Sequence, residues 1–228
     1  MSTKLIVVLD VDSREEAARV VRSCGDCDCF KIGSQLFTCE GPEVVREVQA
    51  MGKRIMLDLK FHDIPNTVGK AAKSAADLGV GMFTLHASGG RSMIEAARSS
   101  VEGTDTHILA VTVLTSLSEA MLREEVGMPE SPEEAVVRLA TMAVDAGAHG
   151  VVCSPKEIPL VRGAIGGQAL VVTPGIRPAW ASQDDQQRVL TPADAARKGA
   201  SHVVVGRPIV NHRDPSEAVA LIKRELSE

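Results

Sequence analysis

Eight short, continuously apolar runs recur along the chain: LIVVLD from Leu5, CFKIG from Cys29, IMLDLK from Ile55, MFTLHA from Met82, ILAVTVL from Ile108, GVVCS from Gly150, ALVVTPG from Ala169 and HVVVGR from His202. A run that is apolar throughout, rather than at alternate positions, suits a strand covered on both faces, as in a parallel sheet flanked by helices. The segments between the runs carry helix signals. Ser13 with Glu16, Ser131 with Glu134, Thr191 with Asp194 and Asp214 with Glu217 each pair an N-cap with an acid three residues on, and Pro132, Pro192 and Pro215 take the first helical position. In LGVGMFTL, AGAHGVVC and KGASHVVV a glycine stands where a helix would stop, a few residues before the next strand. One βα unit therefore repeats. Eight units in 228 residues predict an α/β chain folded as a (βα)8 TIM barrel of eight parallel strands, in preference to an open doubly wound sheet. No Pro/Gly/Ser-rich or single-charge tract marks a linker, so residues 1–228 are expected to form a single catalytic domain. The helical material between Ser118 and Pro129 stands outside the repeat.

In such a barrel, chemistry gathers where the strands end at their carboxyl side. Those positions hold Asp10, Lys31, Asp58 with Lys60, Thr115 with Ser116, Arg177, and Gly206 with Arg207. The densest stretch is LDLKFHDIPNT, Leu57 to Thr67. Residues two apart on a strand face the same side, so Asp58 and Lys60 project together, and Asp63 follows the strand end ahead of a proline that can open a helix. Opposite charges about 4 Å apart attract by roughly 4 kcal/mol at an effective dielectric near 20. Lys60 is thus expected as a fixed ammonium, a proton donor rather than a Schiff-base nucleophile. A surface ion pair with Asp63 as helix N-cap is the plainer reading and stays open on these residues alone. Glycine followed by arginine, in TPGIR and VVGRP, suits a phosphate site, where backbone N–H groups approach closely and a guanidinium binds two oxygens. Turn chemistry is the alternative for Gly175 and Gly206.

A net charge of -5 offers no basic field for a polyanion, so nucleic acid is not an expected partner and a small phosphorylated ligand fits better. No signal-peptide pattern follows the opening MSTK, and LIVVL is too short to span a bilayer, so no membrane association and a cytoplasmic location are expected. Cys24, Cys27 and Cys29 form a CxxCxC cluster without a second cluster to complete a zinc tetrad, and they read as small packing residues. His86 ends the fourth run without a second ligand at metal spacing, so a hydrogen-bonded structural role is expected and no metal is assigned. There is no GxGxxG and no P-loop lysine.

Taken together, the motifs VVLDVDS, FKIGSQLF followed by EGP, LDLKFHDIPNT, LHASGG, VTVLTS, VTPGIRP, DDQQRV and VVGRPI, which span almost the whole chain, resemble the orotidine 5′-monophosphate decarboxylase family. DxKxxD is shared with sugar-phosphate decarboxylases and hexulose-phosphate synthases on the same barrel, whereas IPNT and the PGIR to DDQ spacing favour the nucleotide enzyme. The resemblance implies that orotidine 5′-monophosphate is decarboxylated to UMP without a cofactor. Lys60 would protonate C6, Asp58 would lie against the substrate carboxylate, and Lys31 with Asp63 would keep the charges alternating. It further implies that Asp10 and Lys31 bind the ribose, that Thr115 lies by the pyrimidine, and that Arg177, Gln186, Gly206 and Arg207 hold the phosphate. Asp63, Ile64 and Thr67 would reach into the neighbouring subunit's site, making a homodimer with shared active sites. The departures are Gln35, where relatives often have an acid, and the loop from Pro178 to Asp185. A metal-dependent sugar-phosphate enzyme of the same superfamily and a non-catalytic nucleotide-binding barrel are the competing readings.

Overall fold

The computed structural model describes residues 2–181 and 190–227. Its elements follow the repeat: β1 (Lys4–Leu9), α1 (Arg14–Ser23), β2 (Cys29–Gly33), α2 (Ser34–Glu40), α3 (Glu43–Ala50), β3 (Arg54–Phe61), α4 (Pro65–Asp77), β4 (Met82–His86), α5 (Arg91–Ser100), β5 (His107–Val111), α6 (Glu119–Glu124), α7 (Pro132–Asp145), β6 (Gly150–Val152), α8 (Ile158–Ile165), β7 (Leu170–Thr173), α9 (Pro192–Arg197), β8 (His202–Val205), α10 (Arg207–Val210) and α11 (Pro215–Glu225). Each strand pairs in parallel with its sequence neighbours, and β8 closes on β1 through Lys4↔His202 to Val7↔Val205. All eight apolar runs are strands of this closed barrel, and the material after Ser118 is α6.

The helix signals act as read. Ser13, Ser131, Thr191 and Asp214 each accept the N–H three residues on, and Ser131 with Glu134 completes a capping box. Such caps each contribute about 1 kcal/mol by satisfying donors the helix cannot. Gly79, Gly147 and Gly199 follow their helix ends at φ 76°, 95° and 98°, the left-handed turn that sends the chain into the next strand.

Both faces of the barrel wall are covered, which is why the strands are apolar throughout. Leu5, Val7, Leu9, Phe30, Ile32, Leu57, Phe83 and Leu85 face the helix layer in the larger core. Ile6, Val8, Met56, Met82, Leu109, Val172 and Val204 fill the barrel interior. A fully buried side chain of this size contributes roughly 1.5–3 kcal/mol. The interior row matters for position. Stepping by two from Ile6 and Val8 leads to Asp10, from Met56 to Asp58, and from Met82 to Thr84, so a polar rung sits directly on an apolar plug.

Cys24 and Cys27 pack in the helix-layer core, whereas Cys29 packs against the interior cluster. Burial pushes the Cys24 thiol up to about 11 and that of Cys29 to about 12. Among the described residues no three His, Cys, Asp or Glu side chains are grouped to hold a metal, and no helix is long and apolar enough to cross a membrane.

Three histidines gather at the amino-terminal end of the strands. His149 Nδ1 accepts the Ile108 N–H at 2.9 Å, and its ring meets His107 edge-on at 5.0 Å. His202 is only 9% exposed. Burial, reinforced by neighbouring positive groups (Arg98 for His149, Lys4 and Arg54 for His202), lowers both rings to about 4. The folded state therefore favours the neutral imidazole. Stability is fully present above the unfolded value near 6.5 and is lost as pH falls from there towards 4. At pH 5 the His202 contribution alone amounts to about 2 kcal/mol, roughly 4–8 °C in Tm for a chain of this size. Thermal melts at pH 7 and pH 5 should show this drop, and His202→Gln should shrink it. An equal drop in the variant would remove His202 from the cause.

Candidate active site

The polar rung opens into a cavity of about 390 Å³ at the carboxyl ends of the strands. Asp10, Lys31, Asp58, Lys60, Thr115, Gly175, Arg177, Gly206 and Arg207 all line it. Gln186 lies outside the described residues with the rest of the DDQQRV motif, and, Ser116 aside, the cavity gathers the residues expected at the strand ends. Ser116 is not among its lining residues.

The charges form a line. Lys31 Nζ stands 3.4 Å from Asp10 Oδ1 and 3.4 Å from Asp58 Oδ2, and Lys60 Nζ stands 3.0 Å from both Asp58 oxygens. The order is acid, ammonium, acid, ammonium. Register explains the first three members. Lys31 pairs with Val8 on one side and Met56 on the other, one inward step below Asp10 and Asp58. Gly33 pairs with Asp58 and makes room for the ammonium, since a Cβ there would lie 3.0 Å from Lys31 Nζ and 3.4 Å from Asp10 Oδ1. Burial alone would raise the Asp58 carboxyl. Lys31 and Lys60 beside it, with hydrogen bonds from Lys60 and Thr84, outweigh burial and hold it below its ordinary value.

Lys60 reaches this line by a different route from simple strand alternation. Met56↔Met82 and Leu57↔Phe83 pair normally, and the next pair is Phe61↔Leu85, so four residue steps of β3 run beside two of β4. This bulge turns the Lys60 backbone to φ 51°, and among the described residues no other non-glycine has a positive φ. Such a conformation costs about 1–3 kcal/mol and persists only where surrounding structure holds it. Thr84, from an apolar run that offered no reason to single it out, is wholly buried here. Its Oγ1 donates to Asp58 Oδ1 at 2.8 Å and accepts the Lys60 N–H at 3.0 Å. The available signal was its period-two spacing from Met82 on the inward row.

Asp63 does not join the line within one chain. It is exposed, accepts the Ile64 N–H at 2.6 Å and forms no ion pair among the described residues. Nor is it the helix N-cap of the plainer reading. Ile64 occupies that position without a side-chain bond, and Pro65 begins α4. Asp63, Ile64 and Thr67 form an exposed edge beside the mouth, with Ile64 67% exposed.

The opposite side of the mouth carries two arginines and two glycines. In the ring of eight strands, β7 lies across from β3, and Arg177 follows β7. The Arg177 N–H bonds to Leu190 O at 3.0 Å and the residue is only 7% exposed, while Arg207 opens α10 directly after Gly206. Gly175, at φ 73°, needs glycine for its turn. Gly206 needs it for space, because a Cβ would stand 3.3 Å from Val8 Cβ. Trp180 anchors the chain leaving Arg177 by donating from Nε1 to Glu225 Oε1 at 3.1 Å. Between the charged line and the arginines lie apolar walls that sequence reasoning had not assigned, including Val111, Val113, Val152, Ile176 and Pro208. The His86 ring meets that of His62 at 5.4 Å with a tilt of 43°, and burial, with His62 and Lys60 nearby, lowers its pKa. Gln35 donates to Asp12, and neither residue lines the cavity.

The model of the "Orotidine 5′-phosphate decarboxylase / HUMPS family" matches residues 3–222. An orotidine 5′-phosphate decarboxylase of Heliobacterium modesticaldum is 50% identical over 99% of this chain and 96% of its own length. That of Nitrosococcus oceani is 46% identical over 99% and 98%. The crystal structure of the Lactobacillus acidophilus orotidine 5′-phosphate decarboxylase superposes with a TM-score of 0.89 at 40% identity, covering 99% of this chain and all of that one.

If the two ammoniums hold the Asp58 carboxyl low, Lys31→Met should raise it. Carboxyl carbon NMR shifts followed through an acid titration would report the change, and an unmoved Asp58 would mean that Lys31 does not act on it.

Proposed function

Because the chain belongs to the orotidine 5′-phosphate decarboxylase / HUMPS family, we propose that its cavity decarboxylates without a cofactor, using Lys60 as the proton donor. The reaction is the conversion of orotidine 5′-monophosphate to UMP in pyrimidine biosynthesis. The observation that carries the mechanism is the 3.0 Å contact of Lys60 Nζ with both Asp58 oxygens, at a cavity whose far side holds Arg177 and Arg207.

The phosphate sits with Arg177, Arg207, Gln186 and the Gly206 backbone. Asp10 and Lys31 hold the ribose hydroxyls, and Thr115 with the apolar wall takes the pyrimidine. This places C6 and its carboxylate at Asp58 and Lys60. When the bond from C6 to the carboxylate breaks, its electron pair stays on C6 and CO2 leaves. A vinyl carbanion of this kind has no delocalising sink, so a fixed cation must meet the charge as it develops. The Lys60 ammonium does so and then gives its proton to C6, and solvent restores the ammonium. Asp58 repels the substrate carboxylate in the ground state and is relieved as CO2 departs, but electrostatic stabilisation carries the larger share. Distant phosphate contacts contribute binding energy that orients the reacting carbon.

The exposed edge of Asp63, Ile64 and Thr67 supports a homodimer in which each subunit extends these residues into its neighbour's site, where Asp63 would continue the alternating charges. A cytoplasmic setting accords with five unpaired cysteines. The whole chain acts as one catalytic domain.

Mixing the protein with orotidine 5′-monophosphate should bleach the orotate absorbance, and a protein that binds UMP but leaves the absorbance intact would be a non-catalytic barrel. Lys60→Ala should abolish turnover while UMP binding remains measurable by calorimetry, because it removes an interaction made in the transition state. Turnover lost to EDTA and restored by magnesium would favour the sugar-phosphate alternative instead. For the shared site, Lys60→Ala and Asp63→Asn should each be inactive alone, yet unfolding, mixing and refolding them together should restore activity. Mixed dimers would carry one intact site. No recovery despite proven subunit exchange would show that the sites are not shared.

A further inference from the structure

Thr84 lies one strand away from the charged line and does not line the cavity, yet it touches both groups on which the proposed chemistry depends. Its position is set by the bulge. Between the pairs Leu57↔Phe83 and Phe61↔Leu85, β3 has three residues where β4 has Thr84 alone. The regular ladder cannot serve the extra N–H groups, and a buried N–H without a partner is costly. At Lys60 the Thr84 hydroxyl takes the place of a backbone carbonyl, accepting the N–H at 3.0 Å.

Proton counting then fixes the other bond. A hydroxyl has a single proton. Since the Lys60 N–H is itself the donor at Oγ1, the Thr84 proton is available for Asp58 Oδ1, 2.8 Å away. Asp58 Oδ1 accepts there, which matches an ionised carboxylate and fixes its plane while Lys60 Nζ bonds to both oxygens. One buried side chain thus grips the left-handed Lys60 backbone and the Asp58 carboxylate simultaneously. Resting on the roles given above to Asp58 and Lys60, we propose that Thr84 is a positioning residue that presets the acid and the proton donor before substrate arrives.

Valine has the shape of threonine without its hydroxyl. Thr84→Val should therefore lower kcat for orotidine 5′-monophosphate by about tenfold to a hundredfold, the scale expected when reacting groups are displaced by a fraction of an ångström to 1 Å. KM and the Kd for UMP should stay within about threefold of wild type, because Thr84 does not touch the ligand. The acid limb of kcat/KM should move to higher pH, as Asp58 loses a hydrogen bond to its charged form. Thr84→Ser, which keeps the hydroxyl, should restore kcat and the pH profile to within about threefold. A merely structural threonine would change Tm without moving the pH profile or being rescued by serine. If Thr84→Val does not fold, Thr84→Ala is expected to show the same loss. The inference is overturned if kcat of the hydroxyl-free variant lies within about threefold of wild type, or if serine and valine lose activity equally. Lys60→Ala assayed alongside separates the two levels: a fully active Lys60→Ala would sink the reading on which Thr84 depends, whereas an inactive Lys60→Ala beside an undisturbed Thr84→Val would sink the Thr84 role alone.

Discussion

A largely buried carboxylate between two ammoniums is the constraint that the rest of the site depends on. Removing a carboxylate from water costs several kcal/mol even after relaxation, and a single partner seldom repays it. Asp58 has Lys31 at 3.4 Å, Lys60 at 3.0 Å and the Thr84 hydroxyl at 2.8 Å, and the net result is a carboxyl held below its ordinary value despite burial. Its ionised state is therefore a property of three strands in register, β2, β3 and β4. The arrangement works only as a set. Without either lysine, the remaining charges would face the desolvation cost with too few partners.

The barrel supplies this set by placing a polar rung on an apolar plug. Ile6, Val8, Met56, Met82, Leu109, Val172 and Val204 close the interior, and one inward step further the side chains of β1 to β4 become Asp10, Lys31, Asp58 and Thr84. The β5 to β8 half of the cavity stays largely apolar, with Val111, Val152 and Val204, until the arginines after β7 and β8. Because the plug lies below the rung, the charged groups stand on an apolar floor, where electrostatic interactions are stronger than in open water.

The strain at Lys60 has a place in this scheme. A left-handed backbone at a lysine is unfavourable, and the bulge that imposes it also interrupts the ladder between β3 and β4. What the fold gains is aim. The ammonium is turned back onto the Asp58 carboxylate, with both oxygens at 3.0 Å, at the cavity edge. The geometry is held from behind by a buried hydroxyl rather than by a solvent-exposed loop.

Much of this was legible in the chain before folding, for physical reasons. Continuous apolar runs report a sheet covered on both faces, and caps with glycine stops report the helices between, because these are local preferences of side chain and backbone. The eight strands, the barrel, and the gathering of Asp10, Lys31, Asp58, Lys60, Arg177 and Arg207 at one end followed from them. The sequence also placed Asp63 three residues from Lys60 in the chain, but the fold turns it outward, where among the described residues it meets only the Ile64 N–H. Neighbours in sequence share a site only when the backbone between them points both the same way, and the bulge and turn at Lys60 to Pro65 decide otherwise. Thr84, Gly33 and the apolar wall were illegible for the complementary reason. Their roles come from what the neighbouring strands bring up to them, the Lys60 N–H at 3.0 Å from the Thr84 hydroxyl or the Asp10 carboxylate 3.4 Å from where a Gly33 Cβ would sit, and such cross-strand distances exist only once register and closure are set.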